Sequence, residues 1–181
     1  MKWKEVLPQI WLFCDSCNVY AVQGPKGLLV IDAGTGQWLD YLSELLAKPT
    51  SLVLTHYFRD HSAGALAASQ AGIPIYAGEH DYEKYVDPGQ HFAQRNAYLM
   101  YDCGWDLFSP IEPIPIAGIL HDYMTISLAG LSVEVIPLPG APMSQIGFGL
   151  SLGENGRQVV FSGETIHSPG RVPRIAPLQY D

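Results

Sequence analysis

Basic side chains are scarce in this chain of 181 residues, which has 10 Lys and Arg against 18 Asp and Glu and a formal net charge of −8. Binding to nucleic acid requires clustered Lys and Arg that neutralise phosphates, and here the basic residues are scattered along the chain. We therefore expect no nucleic-acid partner. The acidic balance instead favours a soluble surface.

Long apolar runs are also missing. No stretch approaches the roughly 20 consecutive apolar residues that a membrane-spanning helix needs. The first nine residues include charged side chains and reach Pro8 before the apolar part of a signal peptide could form. From these two absences we expect no membrane partner and a cytoplasmic location.

Cysteine is rare as well, with three residues in the chain. An odd number is typical of free thiols in a reducing compartment. Cys14 and Cys17 have the C-x-x-C spacing, but alone this pair is half a zinc site at best, and no thioredoxin-type helix follows it. We interpret both as ordinary thiols in or beside a strand.

The residues that are present describe a compact globular protein, with 48% hydrophobic and 15% charged side chains. The length suits a single domain over residues 1–181. Strand-like segments fill both ends and strand–helix units fill the middle, which predicts an α+β fold of sheets covered by helices. The predicted elements are a strand over 5–13, a hairpin of 18–23 with 27–31, a helix from 38 to about 48, a strand over 51–55, a helix over 62–71, and hairpins within 124–138 and 144–161.

The most informative motif follows the predicted strand over 51–55, where His56, Asp60 and His61 occur within six positions. Imidazole nitrogen and carboxylate oxygen are zinc ligands, and a loop of this length lets the groups face one point. A structural interpretation stays open. Asp60 or Ser62 could cap the next helix, His61 could belong to its first turn, and His56 could be a hydrogen-bonded residue at the sheet edge.

A second motif follows the apolar stretch 159–161, where the chain reads Ser162-Gly163-Glu164 and then His167. Glu164 could bind or bridge metal ions, and His167 could bind a metal or assist proton transfer. The alternative is a surface loop with a capping glutamate. A third segment, 136–144, is a strand end followed by a Pro-Gly turn, and it contains no metal ligand.

In their order and spacing these three segments resemble the metallo-β-lactamase superfamily, whose signature is T-H-x-H-x-D-H, then a P-G-H turn, then S-G-D, then a late histidine. The stretch from Thr55 to His61 matches the first motif apart from Phe58, and Asp32-Ala33-Gly34 resembles the Asp-x-Gly loop of the family. The resemblance covers about residues 5–167. It implies a four-layer αββα sandwich with a metal site at the sheet edges. The chain ends without a finishing helix, which leaves open whether it lacks the C-terminal end of that domain.

The departures from the family pattern concern the metal ligands. The resemblance implies that the first ion would be held by the positions of His56, Phe58 and Ala141, and neither Phe58 nor Ala141 can bind a metal. The second ion would be held by Asp60, His61 and Glu164, but no histidine follows His167 to complete that set. The family's loop aspartate, Asp32, would hold the ligand loop through hydrogen bonds to backbone N–H groups.

We therefore expect at most one well-formed metal site, with His56, Asp60, His61 and Glu164 as ligands and with Asp60 and His167 as catalytic residues. The cofactor would be one ion of Zn, or of Fe or Mn, unless the site holds none. The resemblance implies a hydrolase that uses a metal-activated water to cleave an ester, thioester or lactone-like bond of a small-molecule substrate. The alternative is a non-catalytic binding or interaction module on the same fold, either metal-free or with a structural ion. The aromatic segment 87–108 could shape a substrate site or form the interface of a homo-oligomer.

Overall fold

The computed structural model describes residues 2–99, 109–139, 142–153 and 156–165, and these residues form two β-sheets. In the first sheet, strands β1 to β4 are antiparallel neighbours and strands β4 to β7 are parallel neighbours. The second sheet is antiparallel, in the order β11-β10-β9-β8. The strands are β1 (Lys4–Leu7), β2 (Ile10–Cys14), β3 (Asn18–Gly24), β4 (Gly27–Ile31), β5 (Pro49–Leu54), β6 (Ile75–Gly78), β7 (Gly118–Leu120), β8 (Thr125–Leu128), β9 (Leu131–Pro137), β10 (Ile146–Leu152) and β11 (Arg157–Phe161).

The helices are short and mostly connect the parallel strands of the first sheet. Two 3₁₀ helices cover Gln37–Glu44 and Glu79–Asp81, and the α-helices are α1 (Arg59–Ser62), α2 (Ala65–Gln70), α3 (Tyr82–Val86) and α4 (Pro88–Leu99). None of the described helices combines the length and apolar character that crossing a membrane requires.

Strand β4 shows how the sequence builds two cores, because successive side chains of a strand point to opposite faces of the sheet. Leu28 and Val30 pack toward the helices, whereas Leu29 and Ile31 pack toward the second sheet. All four are fully buried. A strand that is covered on both faces requires a continuous apolar sequence, and Gly27–Ile31 has one.

The two cores define the layers. On one face of the first sheet, Trp38, Ala65 and Tyr85 from the helical segments pack against the strands. On the other face, Val133 and Phe148 of the second sheet complete a separate core. The observed α+β class and the paired sheets confirm the prediction. They are consistent with an αββα sandwich, of which the described residues show the helical layer and both sheets.

Three local predictions need correction. The strand predicted over 5–13 is the hairpin of β1 and β2, because the chain turns back at Pro8 and Gln9, and Gln9 has a φ of 72°. The helix predicted from Trp38 is a 3₁₀ helix that ends at Glu44 and is interrupted at Tyr41. The helix predicted over 62–71 is divided between α1 and α2. The hairpins of β3 with β4, β8 with β9, and β10 with β11 confirm the turn signals.

One backbone contact joins the edges of the two sheets. The N–H of Ile146, at the start of β10, donates to the carbonyl of Thr55, directly after β5, at 2.9 Å. The loop after β5 therefore lies beside the loop after β11. The two sequence motifs that follow these strands are brought to the same place by the meeting of the sheets.

Candidate metal centre

The loop after β5 carries the first motif into a tight, buried turn. The N–H groups of His61 and Ser62 both donate to the carbonyl of Phe58 at 2.9 Å, and the Ser62 hydroxyl donates to the carbonyl of Tyr57 at 3.0 Å. These bonds begin helix α1 and turn it back toward the end of the strand. As a result His56 and His61 face each other, with their ring centroids 4.2 Å apart.

Asp32 orients His61 from behind. The Nδ1 atom of His61 lies 2.8 Å from Oδ2 of Asp32, which is itself buried at the end of β4. A carboxylate accepts hydrogen bonds, so Nδ1 donates and Nε2 points the other way. Nε2 lies 3.6 Å from Oε1 of Glu164 and 3.9 Å from Oδ2 of Asp60.

The same carboxylate orients His56 through Thr55. The Thr55 hydroxyl lies 3.0 Å from both oxygens of Asp32 and 2.9 Å from Nδ1 of His56. Because the single hydroxyl proton goes to the carboxylate, the oxygen accepts a hydrogen bond from Nδ1 of His56. The Nε2 atom of His56 is then a lone-pair donor. It is buried, it has no hydrogen-bond partner among the described residues, and it lies 3.9 Å from Oε2 of Glu164.

The second motif contributes Glu164 from the loop after β11. Gly163 has a φ of 54°, and the left-handed conformation turns the chain sharply after the strand. Gln145 holds this loop, because its side-chain amide donates to the carbonyl of Ser162 at 2.9 Å and accepts from the N–H of Glu164 at 3.3 Å. The side chain of Glu164 is 26% exposed and faces both histidines.

These residues fit a single divalent metal ion. The ligand atoms of His56, Asp60 and His61 all lie within 4.8 Å of one another, and Glu164 lies 3.6–3.9 Å from the two Nε2 atoms. With metal–ligand bonds of about 2.0–2.1 Å, neighbouring ligand atoms of a zinc site lie about 3 Å apart, so a small closure suffices. A metal would also satisfy Nε2 of His56, which is otherwise a buried polar atom without a partner in the described part of the chain.

Burial and charge set the protonation of the two imidazoles differently. Burial lowers the pKa of His56 well below its usual value, and the nearby charge of His61 acts in the same direction. His56 is therefore neutral, the form that binds metals. Burial also opposes protonation of His61, but the adjacent charge and hydrogen bond of Asp32 outweigh it and raise the pKa of His61. An ion that binds to Nε2 of His61 has to displace that proton.

Phe58 occupies one of the three positions that the resemblance assigns to ligands of the first metal. Its side chain is buried and its ring packs edge-on against His56, with the centroids 4.9 Å apart. A hydrocarbon ring that cannot bind a metal therefore lies directly beside His56. The predictions that concern Ala141 and His167 fall on residues outside the described ones.

A cavity of about 630 Å³ opens beside this cluster and gives a small molecule access to it. Asp60, His61 and Glu164 line one part of its wall, whereas Tyr20 and Phe161 line another. The cavity thus combines polar donor groups with apolar surface, as small-molecule sites commonly do.

Sequence reasoning missed two residues of the centre. Gln145 positions Glu164. The local sequence around this single glutamine does not predict that role. Cys17 lies beside Asp32 and His61, with ligand atoms of all three residues within 4.8 Å of one another. The position of Cys17 could have been predicted from the hairpin of β3 and β4. In its register Tyr20 lies opposite Ile31, which places Cys17 opposite the Asp-x-Gly loop.

A second group of candidate ligands lies on the surface, where Glu79, His80 and Asp122 have ligand atoms within 4.8 Å of one another. Here the histidines are already paired with carboxylates. Nδ1 of His121 lies 2.9 Å from Glu79, and Nε2 of His80 lies 3.5 Å from Asp122.

Comparison with known proteins gives one family match. The model of the metallo-beta-lactamase superfamily matches residues 12–179. No curated protein matches the sequence.

Several solved structures share the fold. A metallo-beta-lactamase with the HARLDQ motif from Cronobacter sakazakii matches at 17% identity with a TM-score of 0.68, over 88% of this chain and 63% of that one. Native FEZ-1 metallo-beta-lactamase from Legionella gormanii matches at 19% identity and 0.68, over 92% of this chain and 66% of that one. BJP-1, a subclass B3 metallo-beta-lactamase of Bradyrhizobium japonicum, matches at 17% identity and 0.66, over 88% and 60%. This chain therefore spans about three fifths to two thirds of the length of these proteins.

Proposed function

The chain belongs to the metallo-beta-lactamase superfamily, and from that premise we propose that it is a metal-dependent hydrolase with one ion at His56, Asp60, His61 and Glu164. Its substrate would be a small molecule with an ester, thioester or lactone-like bond. The observation that carries the proposal is the orientation of the two histidines. Both Nε2 atoms face Glu164, at 3.6 and 3.9 Å, while both Nδ1 atoms are committed to hydrogen bonds that lead to Asp32.

This arrangement is the one that metal-binding histidines usually have, with a carboxylate behind the ring that fixes the tautomer. A zinc ion in such a site lowers the pKa of a coordinated water to about 7 and polarises the carbonyl of a substrate. The chain's own residues would do the remaining work. Glu164 faces both rings and keeps the two motifs together, and the cavity beside it admits the substrate.

Asp60 is the candidate for proton transfer, because its side chain is 47% exposed and lines the cavity at 3.9 Å from Nε2 of His61. A carboxylate at that place can accept a proton from an attacking water and return it to the leaving group. We also propose His167 as an assisting group, since it follows Glu164 by three residues.

A non-catalytic binding module on the same fold is the second candidate. The packing of Phe58 against His56 favours it, because a buried aromatic ring replaces a ligand that a two-metal hydrolase would need. In this case the cavity would bind a ligand without transforming it.

Metal analysis of the purified protein tests the proposed function. After removal and return of Zn²⁺, we expect close to one bound equivalent in the natural protein and loss of that equivalent in His61→Ala. Asp122→Ala is the matched control, because it removes a carboxylate from the surface group and leaves the centre intact. Binding that is lost in Asp122→Ala and kept in His61→Ala would contradict the proposal.

Hydrolysis assays with ester, thioester and lactone substrates then separate the two candidates. The hydrolase requires turnover that depends on the ion and falls in Asp60→Ala by at least about 100-fold, which is within the usual range for a general base. A protein that binds one equivalent and shows no turnover on such a panel would support the binding module.

A further inference from the structure

Cys17 lies at the same centre and has no role in the function proposed above. We propose that Cys17 is a further ligand of the ion, bound through its thiolate sulfur, and that the site therefore selects zinc over harder ions such as Mn²⁺. This inference rests on the proposed function. Thiolate is a soft ligand that zinc accepts at about 2.3 Å, whereas manganese prefers carboxylate, carbonyl and water.

The position of Cys17 supports the assignment. Its sulfur lies with Asp32 and His61 in a group whose ligand atoms are all within 4.8 Å of one another. Cys17 also lines the same cavity wall as Asp60, His61 and Glu164. The sulfur therefore lies within reach of His61, the residue that this group shares with the group of His56 and Asp60.

Asp32 cannot easily be the ligand of this group, because its oxygens are already used. One oxygen accepts from the backbone N–H of Thr55 at 2.9 Å, the other accepts from Nδ1 of His61 at 2.8 Å, and both lie 3.0 Å from the Thr55 hydroxyl. A carboxylate held in this way orients ligands instead of binding the ion itself. Among these three residues, the sulfur of Cys17 remains as the donor.

Hydrogen bonds to neighbouring loops hold the loop that carries Cys17. Asp15 accepts hydrogen bonds from the Thr35 hydroxyl at 2.6 Å and from the N–H of Ser16 at 2.7 Å. The Ser16 hydroxyl in turn donates to the carbonyl of Asp60 at 2.5 Å. The residues before Cys17 are therefore tied both to the loop after β4 and to helix α1, which keeps the sulfur next to Asp32 and His61.

Nε2 of His56 provides independent support for an ion at this place. His56 is 1% exposed, and its Nε2 has no hydrogen-bond partner in the described part of the chain. It lies 3.9 Å from Glu164, on the deep side of the same cluster. A buried nitrogen lone pair costs free energy unless a donor or a cation satisfies it, and the described residues offer no donor.

The experiment uses the full chain with Co²⁺ in place of zinc, because a thiolate ligand gives cobalt a charge-transfer absorption that oxygen and nitrogen ligands do not give. The variants are Cys17→Ser, Cys14→Ser and Cys103→Ser. Cys14 is the matched control, since it is exposed at the other end of the same loop. Cys103 completes the set of three cysteines.

We expect the sulfur–cobalt band in the natural protein, in Cys14→Ser and in Cys103→Ser, and its loss in Cys17→Ser. X-ray absorption of the zinc form should show a sulfur neighbour at about 2.3 Å that is likewise lost in Cys17→Ser. Zinc affinity should fall by at least about 100-fold in Cys17→Ser, and manganese affinity by less than about threefold, which together would remove the selectivity.

A second measurement avoids dependence on how well the serine variant folds. In the natural protein, saturating zinc should slow alkylation of Cys17 by iodoacetamide by at least about tenfold, because a metal-bound thiolate is a poorer nucleophile than a free one. The alkylation rate of Cys14, read in the same sample by peptide mass mapping, should be unchanged.

Each other outcome overturns the proposal in a recognisable way. One bound equivalent of Co²⁺ without a sulfur band shows that Cys17 is not a ligand, while the proposed function stands. Absence of any bound ion in the natural protein removes both proposals. Hydrolysis by the metal-free protein that is abolished in Cys17→Ser would make Cys17 a nucleophile with His61 as its base.

Discussion

Two groups of similar side chains occur in this protein, and they differ in what lies behind the histidines. In the buried group, His56 and His61 have their Nδ1 atoms directed toward Asp32 and their Nε2 atoms directed toward Glu164. In the surface group, His80 and His121 form their close contacts directly with the carboxylates of that group. Their side chains are 57% and 62% exposed, so water competes for every contact.

The difference concerns orientation, because residue types alone do not direct their ligand atoms toward one point. Both groups bring histidine and carboxylate ligand atoms within 4.8 Å of one another. In the buried group, one carboxylate sets the direction of two imidazoles, and the other carboxylates remain available as ligands. Among the described residues, no other group has this arrangement. Removal of the buried supporting groups should therefore have large effects, and matched changes on the surface should have small ones.

The largest effect is expected for Asp32→Ala. Asp32 is buried and its loss leaves the charged His61 and the N–H of Thr55 without their acceptor, so unfolding should become easier by about 3–5 kcal/mol. Urea unfolding followed by circular dichroism measures this change. Glu79→Ala removes a carboxylate that also accepts from a histidine, but at the surface, and should leave the unfolding midpoint unchanged within error. Equal losses in both variants would contradict the comparison.

Metal binding should stabilise the folded protein through the buried group alone. An ion at about 100 times its dissociation constant adds about 2.7 kcal/mol to the free energy of unfolding, because it binds the folded state and not the unfolded one. Thermal unfolding with and without Zn²⁺ measures this gain. It should vanish in His61→Ala and persist in His121→Ala, and the reverse pattern would assign the ion to the surface.

The support of Glu164 can be compared with an exposed amide of the same kind. Gln145 is 1% exposed and bonds to Ser162, Glu164 and Thr165, so Gln145→Ala should cost about 1–3 kcal/mol of stability. Gln158→Ala, which removes an exposed amide bonded to Ser151, should cost less than about 0.5 kcal/mol. Both values come from the same urea titrations. Similar costs would mean that the loop after β11 holds Glu164 without Gln145.

The smallest expected effect concerns the hydroxyl between Asp32 and His56. Thr55→Val keeps the side-chain shape but removes the group that fixes the His56 tautomer, so zinc affinity should fall by about tenfold, or about 1.4 kcal/mol. Competition with a coloured chelator measures the affinity. Thr50→Val changes a threonine whose hydroxyl contacts the carbonyl of Leu28, away from the centre, and should leave the affinity unchanged. An unchanged affinity in Thr55→Val would show that the Thr55 hydroxyl does not support metal binding through His56.

The parts of this centre that directly follow a strand could be predicted from the sequence. One apolar strand is followed by His56, Asp60 and His61, and another is followed by Glu164. This pattern predicts polar groups at the sheet edges. The structure brings these four residues together. The predicted backbone role of Asp32 is also observed, in its bond to the N–H of Thr55. Their position as ligands remains a prediction.

The remaining parts depend on contacts between distant segments. Gln145 and Cys17 gain their places from the meeting of the two sheets and from the β3–β4 register, which single-residue patterns do not reveal. The strand predicted over 5–13 failed for a local reason: apolar residues on both sides of Pro8 masked the turn. The short strand β7 was not predicted, because a three-residue parallel strand is determined by its neighbour β6 more than by its own sequence.

The contact between Thr55 and Ile146 has a consequence for the order of folding. It joins two sheets whose contributions to the centre, His61 and Glu164, are about 100 residues apart in the chain, so the centre exists only after the sheets have docked. An ion shared by His61 and Glu164 would close that long loop and act as a reversible staple between the sheets. Its loss would release that staple, so hydrogen exchange at the N–H of Ile146 would report how strongly the ion holds the two halves of the protein together.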